Sequence, residues 1–130
     1  MNMKLFTKEQ LTKLLNNGSS ANRGKDHKPV VKLFTPDAGC TWLLTEIDPE
    51  ETDLAFGLCD LGLGFPELGY VSITELTTVR GRFGLPVERD LHFEGKYPIS
   101  VYADAARQKE RIVTEDQRLL QIIATATKKQ

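Results

Sequence analysis

Between residues 30 and 94 one pattern recurs: a short run of β-branched and aromatic residues, then a turn rich in Pro, Gly or Asp. The runs are VVKLF (30–34), CTWLLTEI (40–47), residues 54–61, ELGYVS (67–72) and residues 87–93. The first four are joined by TPDAG (35–39), the acidic turn 48–53 and the Gly-rich stretch before Pro66. Parallel neighbours need a crossover of a dozen or more residues, which these turns cannot supply. The spacing therefore predicts a mostly antiparallel sheet of about five strands.

Helical signals flank this sheet. Leu5, Leu11, Leu14 and Leu15 recur at helical spacing, with Thr7 and Gln10 as a capping box and Asn16-Asn17-Gly18 as a stop. Ser72 and Glu75 form a second box, which predicts a short central helix to Val79. A third helix is expected from near Ser100. Thr114 to Gln117 read as a box opening a last helix with Leu119, Leu120, Ile122 and Ile123 at helical spacing and Lys128 and Lys129 at its negative end. The expected fold is α+β, with helices packed beside the sheet. Residues 1–130 read as a single domain. It comprises an N-terminal helix (1–16), a flexible basic loop (17–28), a β-rich core (29–95) and a C-terminal helical extension (99–130).

At 130 residues the chain is long enough to bury roughly two thirds of its unfolded surface, so it needs no metal or disulfide to fold. The net charge of −1 speaks against a surface devoted wholly to nucleic acid. Cys40 and Cys59 sit in apolar runs without metal-ligand spacing and read as reduced, buried thiols, with a disulfide as the lesser reading. The opening MNMKLFTKEQ lacks an apolar signal region, and no run approaches the length of a membrane span, so a cytoplasmic location with no membrane contact is expected. No cofactor is expected.

Five groups of residues carry candidate chemistry. In a strand over 87–94, Glu88, Asp90, His92 and Glu94 share one face, a set suited to acid–base work or a divalent metal. The plainer reading is the polar face of a half-buried sheet. Arg89, on the opposite face, calls for a carboxylate, with Glu46 or Glu67 as the candidates. The acidic turn groups Glu46, Asp48, Glu50, Glu51 and Asp53; Pro49 and the lack of Gly argue against a calcium loop and leave a solvated turn or a protein-contact patch. Arg80, Arg82 and Phe83 on a Gly-hinged loop, with Arg89 and the basic loop, are candidates for nucleic-acid or partner contact, although Arg80 also suits a helix C-cap. Trp42 is a further contact candidate whose default is core packing. A Cys59/His92 dyad rests only on the two residues coexisting. The Gly62-Leu63-Gly64 stretch fails the dinucleotide fingerprint because Pro66 and a strand follow it, and there is no P-loop, GxSxG or zinc-finger spacing.

The stretches VVKLFTPDAG (30–39), TWLLTEID (41–48), FGLCDLG (56–62), ELGYVSITEL (67–76) and GLPVERDLHF (84–93) together resemble a bacterial domain-of-unknown-function family, the one numbered twenty-nine fifty-eight. The resemblance implies a setting in plasmids, conjugative elements and phage-like islands, and brings no catalytic mechanism with it. Members are usually more aromatic in the strand matching TWLLTEID and often end soon after residues 90–95, so the C-terminal helices read as an addition. The resulting expectation is a non-enzymatic protein-binding module of a mobile genetic element, with anti-restriction or anti-CRISPR action as one role. A nucleic-acid-binding accessory protein using Arg80, Arg82 and Arg89, and a small enzyme centred on His92, are the alternatives.

Overall fold

The runs between 31 and 72 close into a four-stranded antiparallel meander, and a short fifth strand joins its first edge. The computed structural model describes residues 5–128. Its elements are α1 (Lys8–Asn17), β1 (Val31–Phe34), β2 (Thr41–Ile47), β3 (Leu54–Asp60), β4 (Glu67–Ser72), α2 (Ile73–Thr78), β5 (Glu88–Arg89), α3 (Ile99–Lys109) and α4 (Gln117–Lys128). The strand order is β4-β3-β2-β1-β5, and every pairing is antiparallel. The fold is therefore α+β with a five-stranded antiparallel sheet.

Strand alternation gives the sheet two buried faces. Val31, Leu33, Trp42, Leu44, Ile47 and Ala55 face one way and pack with Leu14 of α1 and Ile73 and Leu76 of α2. Leu43 and Leu58 face the other way and meet Val101, Tyr102 and Ala105 of α3 and Leu120 and Ile123 of α4. The helices thus cover both faces of the sheet. A bulge between Leu44 and Glu46 shifts the register, after which Glu46 pairs with Phe56 and Ile47 with Ala55. Gly57 lies beside it, where a Cβ would stand 2.0 Å from the Leu43 carbonyl oxygen, so only glycine admits this close approach.

The caps follow the sequence in part. Thr7 and Gln10 form the predicted reciprocal box, and α1 begins at Lys8. Ser72 Oγ accepts the Glu75 amide as expected. The box predicted at Thr114 is instead an Asp116 cap: its Oδ1 accepts the Leu119 amide at 3.0 Å, and α4 starts at Gln117. Lys129 lies outside the described residues. The N-terminus of α3 has no cap from its own Pro98. The carboxylate of Asp26 caps it from a distance, accepting the Ser100 amide at 3.0 Å and the Ser100 hydroxyl at 2.5 Å. Residues 18–30 form a series of turns joined to the core through Gly24 and His27 as well as Asp26, and Asn17, placed in the loop by the sequence, closes α1.

The fifth strand is far shorter than the sequence suggests. Alternation over 87–94 predicts a full strand, but only Glu88 and Arg89 join the ladder. Pro86 offers no amide on one side. On the other, Asp90 Oδ1 accepts the His92 amide at 2.9 Å and turns the chain away from β1.

Candidate functional site

The loop between α2 and β5 is held by a single carboxylate from the turn after β1. Asp37 Oδ2 accepts the amides of Phe83 at 2.6 Å and Leu85 at 3.2 Å. Within the loop, the Gly81 amide donates to the Leu85 carbonyl at 2.9 Å and the Gly84 amide to the Gly81 carbonyl at 3.0 Å. Arg80 and Pro86 close its base as an isolated bridge. A Cβ at Gly81 would fall 1.6 Å from Asp37 Oδ1, an atom that is itself buried without a hydrogen-bond partner, so any larger residue here must displace the carboxylate. Asp37 is in turn fixed by its own turn, where the Cys40 amide donates to Thr35 Oγ1 and the Ala38 amide to the Thr35 carbonyl.

This scaffold fixes the backbone and leaves the side chains outside. Phe83 is 79% exposed, Leu85 is 46% exposed, and Arg82 is exposed beside them. Arg80 is engaged differently. Its Nη1 donates to the carbonyls of Thr77 at 2.9 Å and Val79 at 2.8 Å, which makes it the C-cap of α2. Of the four arginine and tryptophan contact candidates, Arg82 stands freely displayed. Trp42 is 3% exposed and belongs to the core. Arg89 is half-buried in β5 opposite Leu33. Glu67 cannot be its partner, because β4 and β5 are opposite edges of the sheet, roughly 19 Å apart at the usual strand spacing.

The residues around His92 come together only in part. With β5 ending at Arg89, alternation no longer places Glu88, Asp90, His92 and Glu94 on one face. Asp90, His92, Glu94, Lys96, Thr114 and Gln117 line a shallow depression of about 220 Å³, and Glu88 is not among its walls. Asp90 is occupied by the His92 amide and by Lys32, whose Nζ lies 3.8 Å from Oδ2 and donates to Thr114 Oγ1 at 2.7 Å. His92 and Glu94 are exposed. Among the described residues no group of three or more His, Cys, Asp or Glu side chains is placed to hold a metal. Cys59 lies on β3, three strands from β5, and burial pushes its thiol up to about 11, so it forms no dyad with His92.

The acidic group divides into structural and exposed members. Glu46 is 9% exposed on the bulge, where Oε2 accepts the Gly24 amide at 3.1 Å and lies 3.9 Å from His27 Nε2. Asp53 is the second cap of α2, accepting Ser72 Oγ at 2.5 Å, Thr74 Oγ1 at 2.6 Å and the Thr74 amide at 2.8 Å. These hydrogen bonds, that from Ser72 foremost, hold its carboxyl below the usual carboxylate range. Asp48 Oδ1 accepts the Glu50 amide at 2.9 Å and shapes the turn, while Glu50 and Glu51 point to solvent.

Sequence reasoning overlooked Asp37, because nothing in TPDAG marks it as the anchor of a loop so distant in the chain. It also passed over Asp60, 3% exposed, which accepts the amides of Gly62 at 2.8 Å and Ile112 at 3.0 Å and ties β3 to the segment before α4. A third feature had a visible signal. Leu61, Leu63, Phe65, Leu68 and Tyr70 interleave with the glycines of the β3–β4 hairpin, and all five are exposed.

A family model described as a protein of unknown function (DUF2958) matches residues 5–113. The match runs from α1 through α3 and stops short of α4. No curated protein and no solved structure matches the chain.

Proposed function

The chain belongs to the DUF2958 family, and on that premise we propose that it is a non-enzymatic protein-binding module that engages its partner through the Arg82–Phe83 loop. The observation that carries this reading is the double clamp of Asp37 on the loop backbone beneath an outward-facing Arg82, Phe83 and Leu85. Arg and aromatic side chains dominate binding hot spots. A loop already held in shape loses little conformational entropy on docking, so more of its contact energy appears as affinity. The partner surface that fits is a shallow apolar pocket bordered by a carboxylate.

A protein partner suits the loop better than a nucleic acid. Arg80 is committed to the α2 carbonyls, the carboxylate of Asp37 lies beneath the loop, and the chain carries no basic excess. The resemblance supports a setting as an accessory protein of a bacterial mobile genetic element. There the partner is a host or element protein, with interference in restriction or CRISPR defence as the role.

The test is affinity capture from a nuclease-treated host lysate, followed by reconstitution of the captured protein and calorimetry. Binding at micromolar affinity or tighter, weakened at least tenfold by Arg82→Ala and Phe83→Ala with unchanged thermal melting, supports the reading. Binding indifferent to both substitutions, or retention of DNA or RNA that weakens steeply with salt, overturns it.

A further inference from the structure

From the opposite edge of the sheet, and independently of the Arg82–Phe83 loop, we infer that β4 pairs antiparallel with β4 of a second copy, joining two five-stranded sheets. β4 is an edge strand whose only charged residue is Glu67 and which contains neither proline nor lysine. Exposed edges are usually blunted by such residues, and this one is left open.

The face above this edge is apolar. Leu68 and Tyr70 alternate onto the α3 side of the sheet, where Tyr70 packs edge-to-face on Phe56 with ring centroids 5.1 Å apart. Tyr70 remains 68% exposed, and Phe65, Leu63 and Leu61 on the adjoining hairpin are 79%, 74% and 58% exposed. Leu68, on the edge strand itself, is 43% exposed beside them.

The edge is also self-complementary. Pairing centred on Gly69 keeps equivalent faces together and sets Leu68 of one copy opposite Tyr70 of the other. Gly69 suits the two-fold axis, since the space around a Cβ there is empty. Glu67 then faces Val71, so no like charges are directly opposed. The same register brings Pro66 of one copy opposite Ser72 of the other.

Sedimentation velocity on the full chain, from low to several hundred micromolar, is the first measurement. A dimer of twice the chain mass is expected, with Phe65→Asp and Tyr70→Asp each weakening it at least a hundredfold while circular dichroism stays native. Gly69→Cys is expected to give a disulfide-linked dimer on mild oxidation under conditions where the wild-type chain does not cross-link. A chain that stays monomeric throughout overturns the inference. So does a dimer that survives both aspartate substitutions, or one that Gly69→Cys leaves uncross-linked. Since Arg82 and Phe83 lie at the other edge, loss of this dimer and loss of partner binding are separate results.

Discussion

Asp37 and Phe83 are 46 residues apart in sequence, and the carboxylate of the first holds the amide of the second at 2.6 Å. One acidic side chain thus takes the place of a strand ladder for the loop entering β5. Its second acceptance, from Leu85, fixes the loop at two points, and the intervening Gly84 takes a φ of 82°.

Removing that anchor is expected to loosen the loop and leave the sheet intact. Asp37→Ala frees two amides, and Gly81→Ala drives a methyl into the carboxylate. In both variants amide hydrogen exchange at Phe83 and Leu85 should accelerate at least tenfold, with exchange in β2 and β3 unchanged. Equal acceleration throughout the sheet would show that the loop is part of the global fold.

The Asp26 cap on α3 is a stability prediction. Asp26→Ala strips the helix N-terminus of this carboxylate acceptor and should cost about 1 kcal/mol. Asp26→Asn keeps an acceptor and should recover most of the loss. Urea melts of the three proteins decide it, and identical midpoints would mean that solvent caps the helix equally well.

Asp53 makes part of the acid stability. Hydrogen bonds from Ser72 and Thr74 hold its folded carboxyl below the usual carboxylate range, so they stabilise the fold above the unfolded value and are lost as pH falls through the folded value. Thermal melts from pH 7 to pH 3 should show the wild type above Asp53→Asn at neutral pH and the gap narrowing below about pH 4. A gap that stays constant with pH would remove the carboxylate from the account.

Burial raises the Cys59 thiol to about 11, which leaves almost no thiolate at pH 8. Alkylation of Cys59 by iodoacetamide in the native protein is therefore expected to run at least a hundredfold slower than in urea. Peptide mass spectrometry resolves it from Cys40, and equally fast native labelling would contradict the half-buried placement.

Much of this fold was legible in the sequence. The turns 35–39 and 48–53 allow no crossover, and the Thr7 and Ser72 caps name the starts of α1 and α2. The division of helices between the two faces was not legible, because Leu43 and Leu44 are both apolar and the pattern in β2 does not say which face takes which helix. The candidate site was legible only in its exposed half. Arg82 and Phe83 stand out as an Arg–aromatic pair among glycines, but their anchor lies in another turn, and periodicity is blind to contacts so distant in the chain. The His92 set misled for the same reason: alternation continues in the letters after Arg89, although the backbone has already turned at Asp90.

The unequal edges of this sheet bear on how far copies of it can assemble. β4 offers six residues of backbone and β5 two, with Pro86 just before them. A sheet with two long bare margins is a repeating unit for fibres, since every added copy exposes another margin like the one it covered. Here each copy brings one long margin and one stub. Joining through the long one leaves a stub at either end, so growth terminates at the pair instead of running on into a filament.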